Sequence, residues 1–123
     1  KLKDLFENKK RIEPRDIELL KIGRHFRTGE AKIIVGRNEQ ENKIIQNLAN
    51  NRLIFEVKDF PSPITLLEGK ISKKSIGIAA SLTAAYSDAR NSRVIVNYGK
   101  GKFNKCIRVS PLDKEEIEKL RIK

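Results

Sequence analysis

NEQENKIIQNLANNRLIFEVKDF, Asn38 to Phe60, changes its hydrophobic period halfway along. Ile44, Ile45 and Leu48 recur at the spacing that lines one face of a helix; Asn38 can cap its start, Glu41 stands three residues on as in a capping box, and Asn50 and Asn51 end it. From Leu53 the pattern alternates, with Leu53, Phe55 and Val57 against Ile54, Glu56 and Lys58. This is the rhythm of a half-buried strand, and Pro61 and Pro63 stop it. Upstream, "LLKIGRHF" (19–26) and "AKIIVGR" (31–37) read as strands joined by a Gly29 turn. Downstream, "ITLLEG" (64–69) is a short strand, and "SKKSIGIAASLTAAYSDARNS" (72–92) is a helix with Ser72 as its cap and small residues for close packing. Val94 to Tyr98 and Lys105 to Val109 are two more strands, and "LDKEEIEKLR" is a terminal helix that Asp113 caps with Glu116 at the third position. The expected class is α+β: a mixed β-sheet of about five to six strands, two main helices and a C-terminal helix. Residues 1–18, charge-mixed with little to bury, read as a linker or short leading helix, and 19–123 as a single domain.

The chain of 123 residues has one domain's length, and its balance of 38% hydrophobic and 35% charged residues favours a folded chain over a disordered one. Its net charge of +11 is unevenly spread: +5 over residues 1–37, −2 over 38–69, +8 over 70–112 and zero over 113–123. A charge so concentrated suits a polyanionic partner; the alternative is a Lys-rich solvated surface of thermophilic or AT-biased origin. Cys106 is the only cysteine, so no internal disulfide or thiol cluster can form, and a cytoplasmic location is expected. The longest charge-free run, 75–87, is too short to span a membrane. The absence of Met at position 1 suggests a piece of a longer protein.

"VIVNYGKGKFNKCIRV" (94–109) carries Lys100, Lys102 and Lys105 around two glycines, with strands on both sides. A nucleotide-hydrolase phosphate loop would need G-x-x-x-x-G-K-[ST] before a helix, so a hairpin is the reading; its lysines can meet successive phosphates, or it is an ordinary solvated turn. Gly36-Arg37-Asn38 joins a strand to a helix, where free N–H groups and a guanidinium suit an anion. Gly36 as a turn, Asn38 as a cap and Arg37 in solvent explain it equally well.

Catalysis within this chain is not expected. His25 has no second His, Cys or paired carboxylate at ligand or base spacing and reads as a surface or partly buried strand residue; Cys106 has no evident base, and Asp59 and Asp88 are single carboxylates. There is no G-x-S-x-G, H-E-x-x-H or C-x-x-C, and neither a metal nor a cofactor is expected.

"KIIVGRNEQEN", "IFEVKDFPSPITLL", "SIGIAASLTAAYSDAR" and the basic hairpin together resemble the RNA-binding domain of the NFACT family (formerly a DUF814-type domain), over about residues 20–110. The closer likeness is to the branch fused behind PP-loop domains similar to tRNA thiouridine synthetases. The chain departs from the ribosome-associated branch in having Val57-Lys58-Asp59 where a His is usual, and Ser62 between two prolines where that branch turns on Gly. The resemblance implies an RNA-binding, foremost tRNA-binding, accessory domain whose ATP chemistry would lie in a PP-loop domain of the same polypeptide. The residues expected at phosphates are Arg37, Asn38, Arg90 and Arg93 at the helix ends, and Lys100, Lys102 and Lys105 on the hairpin. Tyr86, Tyr98 and Phe103 are the aromatics that could stack on bases; being few, they favour recognition of backbone and shape. Two readings stand beside this one: an RNA-acting enzyme using Asp88 or Asp59 with His25 and Arg37, and a docking or dimerisation domain whose basic face meets an acidic protein.

Overall fold

The computed structural model describes residues 1–122; Lys123, the last residue of the expected domain, lies outside them. The strands are β1 (Arg24–Thr28), β2 (Ala31–Val35), β3 (Leu53–Val57), β4 (Thr65–Gly69), β5 (Val94–Lys100) and β6 (Lys105–Val109). The helices are α1 (Leu2–Asn8), α2 (Pro14–Leu20), α3 (Glu39–Leu48), α4 (Lys73–Ala85) and α5 (Lys114–Leu120). From β1 onward the order is the expected ββαββαββα. The strands form one sheet in the order β1-β2-β4-β3-β5-β6. The α+β class is as expected, and within it every strand pairing is antiparallel rather than mixed.

Alternation sends the strand residues to two cores. Phe26, Ile33, Phe55, Leu67 and Val96 pack with Ala79, Ala80 and Leu82 of α4, and Ile117 and Leu120 of α5 close over them. On the other face Ile34, Ile54 and Leu66 pack with Leu19 of α2 and Ile45 of α3. The alanines do for α4 what the sequence suggests: without long side chains the helix axis approaches the sheet closely.

Three local readings change. The strand expected from Leu19 begins only at Arg24, because Glu13 and Asp16 cap one another's backbone reciprocally and Pro14 stands in the first turn, starting a helix that carries Leu19 and Leu20. The leading segment accordingly folds as two helices, anchored by buried Leu5 and Leu19. α4 stops at Ala85: the Ser87 hydroxyl bonds the Ala84 carbonyl at 2.7 Å and Asp88 N–H turns away to Pro61 O at 2.9 Å, leaving Arg90 and Arg93 in a loop. His25, read as a surface or partly buried residue, is sealed in the core at 1% exposure. Its Nε2–H donates to Ile22 O at 2.8 Å, while Nδ1 has no partner.

The two edge strands differ. Beside β1 the chain returns after α5, where Ile122 N–H donates to His25 O at 2.9 Å and Arg121 bridges Phe26, so that edge is paired. Among the described residues β6 has no outer neighbour, and it presents exposed Lys105, Cys106 and Arg108. Charged side chains on a bare edge discourage further strand pairing.

Gly36 is required by close approach. Its N–H donates to Ile64 O at 3.0 Å, and a Cβ there would collide with Asn42 Oδ1, the atom that accepts from Ile64 N–H at 2.9 Å. Gly36→Ala should therefore lower unfolding stability by about 2 kcal/mol in urea denaturation. An unchanged midpoint would mean that the Asn42 link is dispensable.

Candidate nucleic-acid interface

Asn38 caps α3 as expected, its side chain accepting from Glu41 N–H at 2.9 Å. The reciprocal half of the capping box is absent, because the Glu41 carboxylate turns the other way. It accepts from Gly23 N–H at 3.1 Å, Arg37 N–H at 3.0 Å, Arg37 Nε at 3.0 Å and Arg37 Nη2 at 2.7 Å. This fork from Arg37, reinforced by the two backbone donors, outweighs burial and holds the Glu41 pKa down at about 2. Arg37 is thus tethered to Glu41 while remaining nearly half exposed. It faces a groove of about 280 Å³ shared with Asn38, Arg24, Ser62 and Asp88. Arg24, which the sequence did not single out, lies with its guanidinium 4.6 Å from the Tyr86 ring centroid.

Arg90, exposed, bonds the carbonyls of Ser87 and Ala89 at 3.4 Å each. Arg93 stands where two grooves meet. One, of about 160 Å³, also holds Lys58 and Asp59; the other, of about 440 Å³ between α4 and β6, holds Lys73, Lys74 and Arg108. No acidic residue lines this second groove, and among the described residues none of its four cations has a side-chain hydrogen bond or an ion pair. Four unneutralised cations around one concavity create a field that internal pairing does not quench. The sequence missed Lys73, Lys74 and Arg108. Each reads singly as a solvated position on a helix or strand, and only the packing of α4 beside β6 gathers them; the +8 charge of residues 70–112 was the available signal.

The hairpin lies apart from Arg37 and Asn38. Val94 pairs with Val109 at one end of β5, whereas Lys100 faces Leu53 at the other, so six residues, about 20 Å of strand, separate the Arg93 end from the hairpin tip. Gly101 turns the tip with φ +69° and donates its N–H to Arg52 O at 3.1 Å, which fixes the loop against the start of β3. Lys105 lies between, opposite Tyr98 on β6. The seven expected residues therefore form no single cluster: Arg37, Asn38, Arg90 and Arg93 occupy one end of the sheet, Lys100 and Lys102 the other, and the α4–β6 groove runs beside the edge strand that joins them.

None of the three candidate aromatics offers an unused ring. Tyr98 stacks on Phe55 at 5.3 Å between centroids, Tyr86 lies under Arg24 and accepts from Arg121 Nη2 at 3.2 Å, and Phe103 packs onto the core beside α3. The exposed rings are instead Phe6 and Phe60, and Phe60 lines the groove that Arg93 shares with Lys58 and Asp59.

A small, basic α+β domain with unneutralised cations along one edge is of the class that binds polyanions. Residues 23–121 match the family model described as the NFACT protein RNA binding domain, and the chain belongs to that family. It is an RNA-binding domain of a family defined by binding and not by catalysis. Among solved structures it is similar to the C-terminal part of the fibronectin/fibrinogen-binding protein from Streptococcus suis, with 23% identity and a TM-score of 0.72 over 93% of this chain and 51% of that one. The chain thus spans about half the length of that structure. No match is found among curated proteins.

Proposed function

We propose that this domain holds structured RNA, tRNA foremost, for an ATP-using PP-loop domain of the same polypeptide, in the cytoplasm. The observation that carries the RNA reading to a surface is the α4–β6 groove with its four free cations, extended by the hairpin lysines. A duplex or folded RNA presents phosphates at regular intervals, and ammonium and guanidinium groups spread along an edge strand can track them without reading bases. That Tyr86, Tyr98 and Phe103 are engaged within the fold supports recognition of shape over single-strand sequence. The PP-loop partner is supported by the likeness of "KIIVGRNEQEN" and "IFEVKDFPSP" to domains fused behind such enzymes.

Lys100→Glu with Lys102→Glu should weaken tRNA binding whatever the sequence, and flatten log Kd against log salt by about 0.7–0.9 for each phosphate that is no longer neutralised. A folded double variant with unaltered slope removes the hairpin from the interface. The unpaired β6 edge favours a second reading, docking of a protein segment. The solved relative is itself titled a fibronectin/fibrinogen-binding protein. Competition separates the two, since tRNA should displace a partner held by the basic edge.

A further inference from the structure

Lys32, on β2, is 5% exposed, and among the described residues no hydrogen bond or ion pair engages its ammonium. The ammonium is not sealed, for among those residues the only buried side-chain polar atom both closed to solvent and without a partner is His25 Nδ1. It reaches a cavity of about 540 Å³ between α1 and the hairpin end of the sheet, within the size range of small-molecule sites.

Glu68, on β4, is the direct cross-strand neighbour of Lys32, so the two side chains rise from the same face about 5 Å apart at their bases. Opposite charges so placed would ordinarily meet. Here the Glu68 carboxylate instead accepts through Oε2 from Arg52 Nε at 2.7 Å, and among the described residues neither a hydrogen bond nor an ion pair joins it to the Lys32 ammonium, which it attracts only at longer range. Burial pulls the pKa of Lys32 down and that of Glu68 up, outweighing the attraction of the opposite charges around them. Leu5 and Ile71 give the cavity apolar surface, while Asn8, Lys9, Arg27 and Asn51 share its lining with Lys100 of the hairpin.

A cationic donor beside a carboxylate, whose two oxygens only accept, is matched most fully by a base edge that sets one acceptor next to two donors. Guanine presents the O6 acceptor next to the N1–H and N2–H₂ donors, whereas adenine presents a donor where O6 would be. We propose that this cavity receives a guanine nucleotide, with Lys32 donating to O6, Glu68 accepting from N1–H and N2–H₂, the Arg52 guanidinium against the base, and Lys100 toward its phosphate. The nucleotide is either free or an unpaired base of the bound RNA; only the second source rests on the RNA reading above.

The probes are GMP, AMP, inorganic phosphate and two oligouridylates carrying one central G or one central A, titrated calorimetrically into the domain and into Lys32→Met and Glu68→Gln. Expected is GMP binding at least tenfold tighter than AMP, abolished in Lys32→Met and reduced to AMP-like affinity in Glu68→Gln. Lys32→Met should keep or raise Tm, because it removes a buried charge that, among the described residues, no hydrogen bond or ion pair compensates; should it fail to fold, Glu68→Gln carries the test. The G oligomer binding better than the A oligomer assigns the base to RNA, while GMP binding without that difference assigns a free nucleotide. Equal affinity for GMP and AMP, binding accounted for by phosphate alone, or no binding overturns the proposal. Because tRNA binding through the α4–β6 groove is measured separately, a domain that takes tRNA but not GMP loses only the pocket, and one that takes GMP but not tRNA loses only the RNA surface.

Discussion

Reversing three charges in the α4–β6 groove, Lys73→Glu, Lys74→Glu and Arg108→Glu, is expected to weaken tRNA binding about 100-fold at 0.15 M salt, the largest functional effect available to the surface. Each neutralised phosphate adds about 0.7–0.9 to the slope of log affinity against log salt, so three phosphates left without a cation flatten it by about 2–2.7. At 0.15 M salt this amounts to about two decades of affinity. All three side chains are exposed and make no internal bonds, so the fold should be unaffected and the circular dichroism spectrum retained. Their separation from Arg37 makes the comparison informative. Arg37 is already committed to Glu41, and replacing it should cost less binding than replacing any free groove cation. Equal losses at Arg37 and at Lys73 would mean that RNA pulls Arg37 away from Glu41.

The second large effect is on stability, and it comes from acid. Burial holds the His25 pKa at about 4 in the folded chain against 6.5 for an unperturbed ring, because an imidazolium sealed in the core loses its hydration, and the charge of nearby Lys32 adds to the effect. Between those values the unfolded chain binds the proton and the folded chain does not. Stability is therefore complete above pH 6.5 and falls as pH drops toward 4, by about 3 kcal/mol over the window. Glu41 extends the loss. Held at about 2 by Arg37, it stays ionised in the folded state while the unfolded carboxyl takes up its proton from about pH 4.5 downward. Denaturant midpoints from pH 7.5 to 4.5 should decline steadily, and His25→Gln, which can still donate to the Ile22 carbonyl but does not titrate, should flatten that decline. The same decline in His25→Gln would assign it to general repulsion in a chain of net charge +11.

Much of the fold was legible because local signals agreed. The switch from helical to alternating period at Asn50–Leu53, the caps Asn38, Ser72 and Asp113, and the prolines after Val57 each act within a few residues. What was not legible depends on distant partners. The helix at Pro14 came from reciprocal capping by Glu13 and Asp16, a pairing rarer than the Ser or Thr pattern, and Leu19 and Leu20 suit a strand equally well by hydropathy. His25 is buried because its register opposite Ile34 puts its ring on the sheet face that α2 and α3 cover. The interface was legible in charge but not in shape. Segment 70–112 announced itself, yet strand order alone decides that Lys100 lies far from Arg37 and that Arg108 lies across a groove from Lys73. Lys32 and Glu68 were not singled out in the sequence, and only their register makes them neighbours.

The central claim, recognition of folded RNA by a basic edge, is tested most directly by titrating the domain with total tRNA and with an unstructured polyanion of equal charge across several salt concentrations. The account predicts that both weaken as salt rises but that tRNA remains bound at physiological salt after the polyanion is released, because shape places several phosphates against the edge at once. Identical affinities and slopes for the two would contradict it, reducing the +11 charge to a nonspecific field.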